Sequence, residues 1–179
     1  MPPRARQAWA DGKSKIMLAE SGMAGRPLRL VCVGKLKTAF YKNGCAHYLD
    51  KLRHWRTLEL TEVRDGDASL APEQRSSQEC SRMEQTLAPQ DIPLVLDGLG
   101  ESITSNGLAA MLQDFDRQGL GRPCFIIGGP YGLTDAIRHT ARRMLALSAM
   151  TLPHEMARLM LLEQLYRAES ILRHLPYHH

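Results

Sequence analysis

Histidine and glutamate meet at His154-Glu155, the opening of an H-E-x-x-H zinc pattern, but the fourth position after His154 is Arg158, which excludes a zincin. His174 and His178 also stand four apart, and Pro176 between them keeps them off a shared helical face. The cysteines Cys32, Cys45, Cys80 and Cys124 form no C-x-x-C pair, so the sequence points to no metal site and no disulfide framework. Ser148 lies outside any G-x-S-x-G elbow and reads as a turn serine. Glu163 and Arg167 are spaced for an ion pair one helical turn apart. The remaining chemistry belongs to the backbone. In FIIGGPYGLT, Phe125 to Thr134, an apolar run enters a turn of three glycines and a proline, where a ligand can approach main-chain N–H and C=O groups closely. The turn is neither G-x-G-x-x-G nor a P-loop, so a dinucleotide or a triphosphate is not indicated, and the glycines also suit plain tight-turn geometry.

Two further segments have the same character, Leu96 to Gly100 and Leu147 to Leu152, each following a short apolar run. In an open α/β sheet, ligands bind beyond the carboxyl ends of strands, where all three segments would lie. A wall of backbone groups with small or apolar side chains suits a flat heteroaromatic base and a flexible thioether or sulfonium.

The elements that would position these segments alternate. Strands are expected at Leu28 to Val33, Thr57 to Val63, Ile92 to Leu96, Cys124 to Ile127 and Met144 to Leu147. Helices are expected at Thr38 to Leu52, from Pro72 to about Leu87, at Ser105 to Gln118, near Thr134 to Arg142, and from Pro153 to about His174. Such alternation argues for a mostly parallel sheet covered by helices. The last helix carries two apolar stripes, Leu161/Leu165/Ala168/Leu172 and Leu159/Leu162/Tyr166, about 100° apart on a 3.6-residue wheel. A helix apolar on two sides needs two partners; its own sheet and a second subunit in a two-fold homodimer would supply them.

The 179 residues, 44% of them apolar, suffice for one domain with a real core. No apolar run approaches the roughly 20 residues that cross a bilayer, and scattered cysteines fit a reducing cytoplasm. The net charge of +4 is unevenly placed. Residues 27–56 hold seven Lys or Arg against one Asp, so one end of the domain can face phosphates while the rest stays acidic. Residues 1–26 hold five basic and two acidic residues without an apolar period, and are expected to be a disordered extension preceding a domain at 27–179.

GGPYGL, LSAMTLPHEMARLMLLEQLYRA, the terminal PYHH and the early VGKLKTAFYKNGCAHYLDKL together resemble the ribosomal large-subunit methyltransferase H family of the SPOUT superfamily, over about Pro27 to His179. The resemblance implies a SPOUT-type α/β domain with a C-terminal trefoil knot, a homodimer packed through that region, and methylation of N3 of a pseudouridine in 23S ribosomal RNA, within the large subunit or the 70S ribosome. It implies S-adenosylmethionine as cofactor, held by Leu96, Gly129, Leu147, Ser148, Ala149, Met150, Thr151 and Leu152, with Arg167, Tyr177 and His178 in RNA-binding and catalytic roles. Gly98-Leu99-Gly100 departs from the proline that many relatives carry there. The imide N3 is a poor nucleophile until deprotonated, so a base or an electrostatic stabiliser is needed. By residue type His178 can take a proton, Tyr177 can stack or hydrogen-bond, and Arg167 can stabilise an imide anion or hold phosphate; which of them takes the proton stays open. Pro176 is expected to end the helix and leave Tyr177, His178 and His179 as a flexible tail. A non-catalytic ribosome-binding module, marked by loss of cofactor binding, and a transfer-RNA enzyme, which would lack an added RNA-binding domain in so short a chain, are the alternatives.

Overall fold

The computed structural model describes residues 25–178, the last of them by its backbone alone. The extension expected at residues 1–26 therefore falls almost wholly outside the described residues. Five strands and five α-helices alternate: β1 Leu28–Val33, α1 Ala39–Leu52, β2 Leu58–Val63, α2 Pro72–Thr86, β3 Asp91–Ser102, α3 Ser105–Gln118, β4 Arg122–Ile127, α4 Asp135–Thr140, β5 Arg143–Ala146 and α5 His154–Leu172. The sheet order is β2-β1-β4-β3-β5, and every pair is parallel. The expected α/β architecture with a helix-covered parallel sheet is what the chain adopts.

Period-2 alternation splits the central strands between two cores. Leu28, Leu30 and Cys32 of β1, with Phe125 and Ile127 of β4, pack towards α1, α3 and α5. Val31 and Val33, with Cys124 and Ile126, pack with Cys80 and Met83 of α2 and Ile137 of α4 on the other face. Every residue of β1 is buried, the signature of a strand covered on both faces.

Two expectations change. β3 does not end at Leu96: Leu96 and Glu101 both face Leu145, so the chain bulges through residues 97–100 and resumes pairing at Glu101 and Ser102. Gly100 makes this possible, since a Cβ there would stand 2.6 Å from backbone atoms of Leu145. The second difference lies in α5. Leu161, Leu165 and Ala168 are buried as the first stripe requires, but α1 covers the second stripe within the same chain: Leu162 is buried, Leu159 lies against Gly44, and Tyr166 stacks on Trp55 with ring centroids 4.9 Å apart. Two stripes do need two partners, and here the sheet and α1 are those partners.

α5 ends in a Schellman motif, in which the N–H of His174 bonds the carbonyl of Ile171 and that of Leu175 bonds the carbonyl of Ser170. His174 takes the left-handed position, φ 55°, that glycine usually fills. The helix thus stops at Leu172, ahead of Pro176, and residues Pro176–His178 form one 3-10 turn.

Candidate active site

Three adjacent strands bring the three backbone-rich segments together. Leu96 of β3 is in register with Ile127 of β4 on one side and Leu145 of β5 on the other, so the 97–100 bulge, the 128–134 turn and the 147–153 segment leave the sheet side by side. Leu96, Gly129 and Leu147 through Leu152 therefore share one end of the sheet. Within the turn, Gly132 has φ +78° and its N–H bonds the carbonyl of Gly129 at 3.1 Å, so this glycine serves turn geometry. Gly129 serves space: a Cβ there would collide with Glu79 Oε2 and stand 3.2 Å from Val33 Cγ1. In the 147–153 segment, Ser148 Oγ accepts the N–H of Met150 at 2.9 Å, the local turn expected of it, and the Met150 side chain is 77% exposed.

The segment is anchored where α5 begins. Glu155 Oε2 accepts the Thr38 hydroxyl at 2.8 Å, and Oε1 accepts the N–H groups of Lys37 and Thr38, so this carboxylate caps α1 from 117 residues away. Burial acts to raise its pKa, but the bonds from Thr38 and Lys37 prevail and hold it below the usual carboxylate range. His154 is pushed down, first by burial and then by the Arg158 guanidinium, and so favours the neutral imidazole. Arg158 is itself buried, with Nη1 on Glu62 at 2.6 Å and Nη2 on the carbonyl of Gly34 at 2.8 Å. Glu155 and Arg158, in the segment whose sequence excludes a zincin, are structural pins. Among the described residues no group of three or more His, Cys, Asp or Glu is placed to hold a metal ion.

Arg167 and Tyr177 lie at the other end of α5, about 20 Å away along the helix from His154 at 1.5 Å per residue. That end faces the starts of the strands: Arg173 donates to the carbonyl of Trp55, just ahead of β2. Arg167 forms the expected pair with Glu163, Nη2 to Oε1 at 2.6 Å. Tyr177 is docked and not free. Its ring meets Tyr166 edge-on at 4.6 Å, Arg167 and Lys51 lie over it at 5.0 and 5.6 Å, and its hydroxyl is 3.3 Å from that of Tyr48 and 3.4 Å from Glu163 Oε1. Burial, and after it the contact with Tyr48, raises the Tyr177 phenol above its ordinary value, so it remains protonated at neutral pH. The backbone of His178 belongs to the same 3-10 turn; its side chain lies outside the described residues. One chain thus assembles the predicted cofactor residues with one another and the predicted catalytic residues with one another, but holds the two sets apart.

The family model described as Predicted SPOUT methyltransferase matches residues 27–178. The chain belongs to the SPOUT methyltransferase family. The methyltransferase is 57% identical over 157 residues to a protein of Desulfovibrio desulfuricans named Ribosomal RNA large subunit methyltransferase H, covering 88% of this chain and all of that one. It is 51% identical to a protein of the same name from Nitratidesulfovibrio vulgaris, covering 86% and 99%. Among solved structures, a probable methyltransferase from Bordetella pertussis shares the fold at TM-score 0.51 and 13% identity, over 82% of this chain and 95% of that one. The cofactor of the family is S-adenosylmethionine. The candidate site fits it chemically: its wall is backbone and small or apolar side chains, and the glycine at 129 lets the turn pack its main chain directly on Glu79 and Val33.

Sequence reasoning missed the support under the glycine turn. Helix α2 reads as mainly polar, yet Arg75, Ser76, Glu79 and Cys80 form one face of it against the turn. Arg75 Nη1 bonds the Tyr131 hydroxyl at 3.0 Å, Ser76 Oγ donates to the carbonyl of Gly132 at 3.1 Å, and Cys80 Sγ accepts the N–H of Thr134 at 3.3 Å. The i, i+1, i+4, i+5 spacing was legible; that a polar face would be the buried one was not. Tyr48 and Lys51, which hold Tyr177, lie in the helix expected at Thr38 to Leu52, and nothing in their spacing pointed to the tail.

Proposed function

We propose that this methyltransferase modifies N3 of a pseudouridine in 23S ribosomal RNA, in the cytoplasm and on assembled ribosomes, as a homodimer whose active site is shared between two copies. The names of the relatives support ribosomal RNA as substrate, and the specific tail motifs support the pseudouridine N3. The separation of the two residue sets carries the shared site. A two-fold axis across α5 would run the helices antiparallel and set the tail of one copy against the glycine turn of the other. Phe40, Leu99 and Met150 are large apolar side chains left exposed near the first turn of α5 and at the strand ends. A trefoil knot belongs to the same reading: after edge strand β5 the chain returns as α5, which packs against α1, α3 and β4.

Bound there, the cofactor supplies an electrophilic sulfonium methyl. The residues of the chain must expose and orient the uracil ring, remove the N3 proton, and offset the developing negative charge. Tyr177, a phenol at neutral pH, stacks or donates a hydrogen bond and does not act as the base. Arg167 stabilises the imide anion or holds phosphate, which requires it to turn from Glu163 towards the RNA. His178 has the residue type that exchanges a proton near neutrality. Alignment of N3 with the methyl group adds to any gain from the base.

Two measurements test this. Mass mapping of 23S rRNA from a deletion strain should show the loss of one methyl from a pseudouridine; an unchanged map refutes the substrate. Mixing equal amounts of a Gly129→Val copy and a copy lacking residues 177–179 should restore roughly a quarter of wild-type activity, because statistical pairing makes half the dimers hybrids with one intact site each. Mixtures that stay inactive refute the shared site.

A further inference from the structure

Glu79 is 1% exposed, on the face of α2 that carries the glycine turn. Its Oε1 accepts the N–H of Gly66 in the β2–α2 connection at 2.8 Å, while Oε2 is buried without a hydrogen-bond partner. That oxygen lies where a side chain at position 129 would begin, with Val33 beside it. A buried carboxylate oxygen with no donor is costly, and a fold that keeps one beside its ligand turn has a use for it. The turn is otherwise tied to α2 by its neighbours Arg75, Ser76 and Cys80, so α2 is the element that sets its shape.

We propose that Glu79 is a positioning residue of the methyl-transfer site, joining the Gly66 connection to the Gly128–Thr134 turn and keeping Oε2 as acceptor for a backbone N–H that the turn presents when cofactor binds. This rests on the reading of that turn as a wall of the cofactor pocket. Glu79 need not touch the reacting atoms; it acts through the turn. Its carboxylate makes the glycine at 129 obligatory and lets cofactor binding be felt at Gly66, on the connection that follows β2.

Glu79→Gln is nearly isosteric and keeps an acceptor for Gly66, but places an amide donor or a weaker acceptor at the turn. In the full-length dimer, KM for S-adenosylmethionine should rise on the order of tenfold, the scale of one lost buried charge-assisted hydrogen bond, while kcat at saturating cofactor stays within about twofold. A wild-type KM in the folded variant, with or without a lower Tm, overturns the proposal and leaves Glu79 a latch of the fold. If the variant does not fold, the wild-type protein decides by hydrogen exchange with and without S-adenosylmethionine. Slower exchange at both the 128–134 amides and Gly66 supports the coupling. Protection at 128–134 alone overturns the role of Glu79, and no protection at 128–134 overturns the pocket itself.

Discussion

The two ends of the sheet are built by different means. At the strand starts the chain is fastened by charge: Arg56 reaches Glu169 and Asp116, and Arg29 and Arg122 converge on Asp91. Glu169 and Asp91 have no side-chain exposure, so these ion pairs are removed from water and hold only as complete sets. At the strand ends the elements stop in glycine turns and a bulge, and most ties are side chain to backbone, as with Ser76 on Gly132 and Glu155 on Thr38, beside the ion pairs Arg158–Glu62 and Arg138–Asp97. An end that must admit a ligand between main-chain segments is held from behind, by the α2 face under the glycine turn and by Glu155 and Arg158 at the start of α5. The helix α5 spans both, with the proposed catalytic residues Arg167 and Tyr177 towards the fastened end and the proposed cofactor segment 147–152 just ahead of it at the open one.

This contrast can be broken first at the tail. Deleting residues 177–179 should lower methyl transfer to ribosomes by about 10²–10⁴-fold, the usual worth of positioned acid–base groups. Cofactor affinity by calorimetry should not change, and Tm should fall slightly, since the Tyr177 contacts with Tyr166 are worth about 0.5–1.5 kcal/mol. At the fastened end, Arg56→Met leaves Glu169 and Asp116 short of a partner and should cost about 3–5 kcal/mol in denaturant unfolding. The folded fraction should still bind cofactor normally; a matching loss of affinity would show that the two ends are not independent. At the open end, Gly129→Val drives a side chain into Glu79 and Val33 and should weaken cofactor binding by about 1–3 kcal/mol, roughly 5- to 150-fold, the range for overpacking.

The smallest effect is expected from pH. His154 is depressed below its ordinary value of 6.5, so between the folded and unfolded values the unfolded chain holds more protons, and stability present at neutral pH declines as pH falls below 6.5. Glu155, also depressed, adds a loss below 4.5 for the same reason of sign. Urea midpoints should decline with a slope of less than one proton through the first window, and His154→Gln should flatten that slope.

Much of this was readable from the chain alone. Short β-branched and apolar runs punctuated by glycine and proline place ten elements in the observed order, because period and punctuation are local properties. The parallel sheet follows from their alternation, and so does the side-by-side exit of the three candidate ligand segments at one end of it. The Glu163–Arg167 pair needed only helical spacing. The four residues of the β3 bulge escaped, since Gly100 signals a close approach but not to which strand. The docked tail escaped too, because a left-handed histidine in a Schellman motif and four aromatic rings from three segments meet only in space.

Sequence by itself determined the order of the elements and the family, both of which depend on neighbours along the chain or on motifs of a few residues. Only the tertiary structure decided that α1 covers the second stripe of α5, that a polar face of α2 with Glu79 underlies the glycine turn, and that Arg167 and Tyr177 meet at the end of α5 facing the strand starts, away from the glycine turn. Those are facts of packing: a helix 19 residues long fixes how far apart its ends must be, but which strand end each one meets depends on the sheet it crosses.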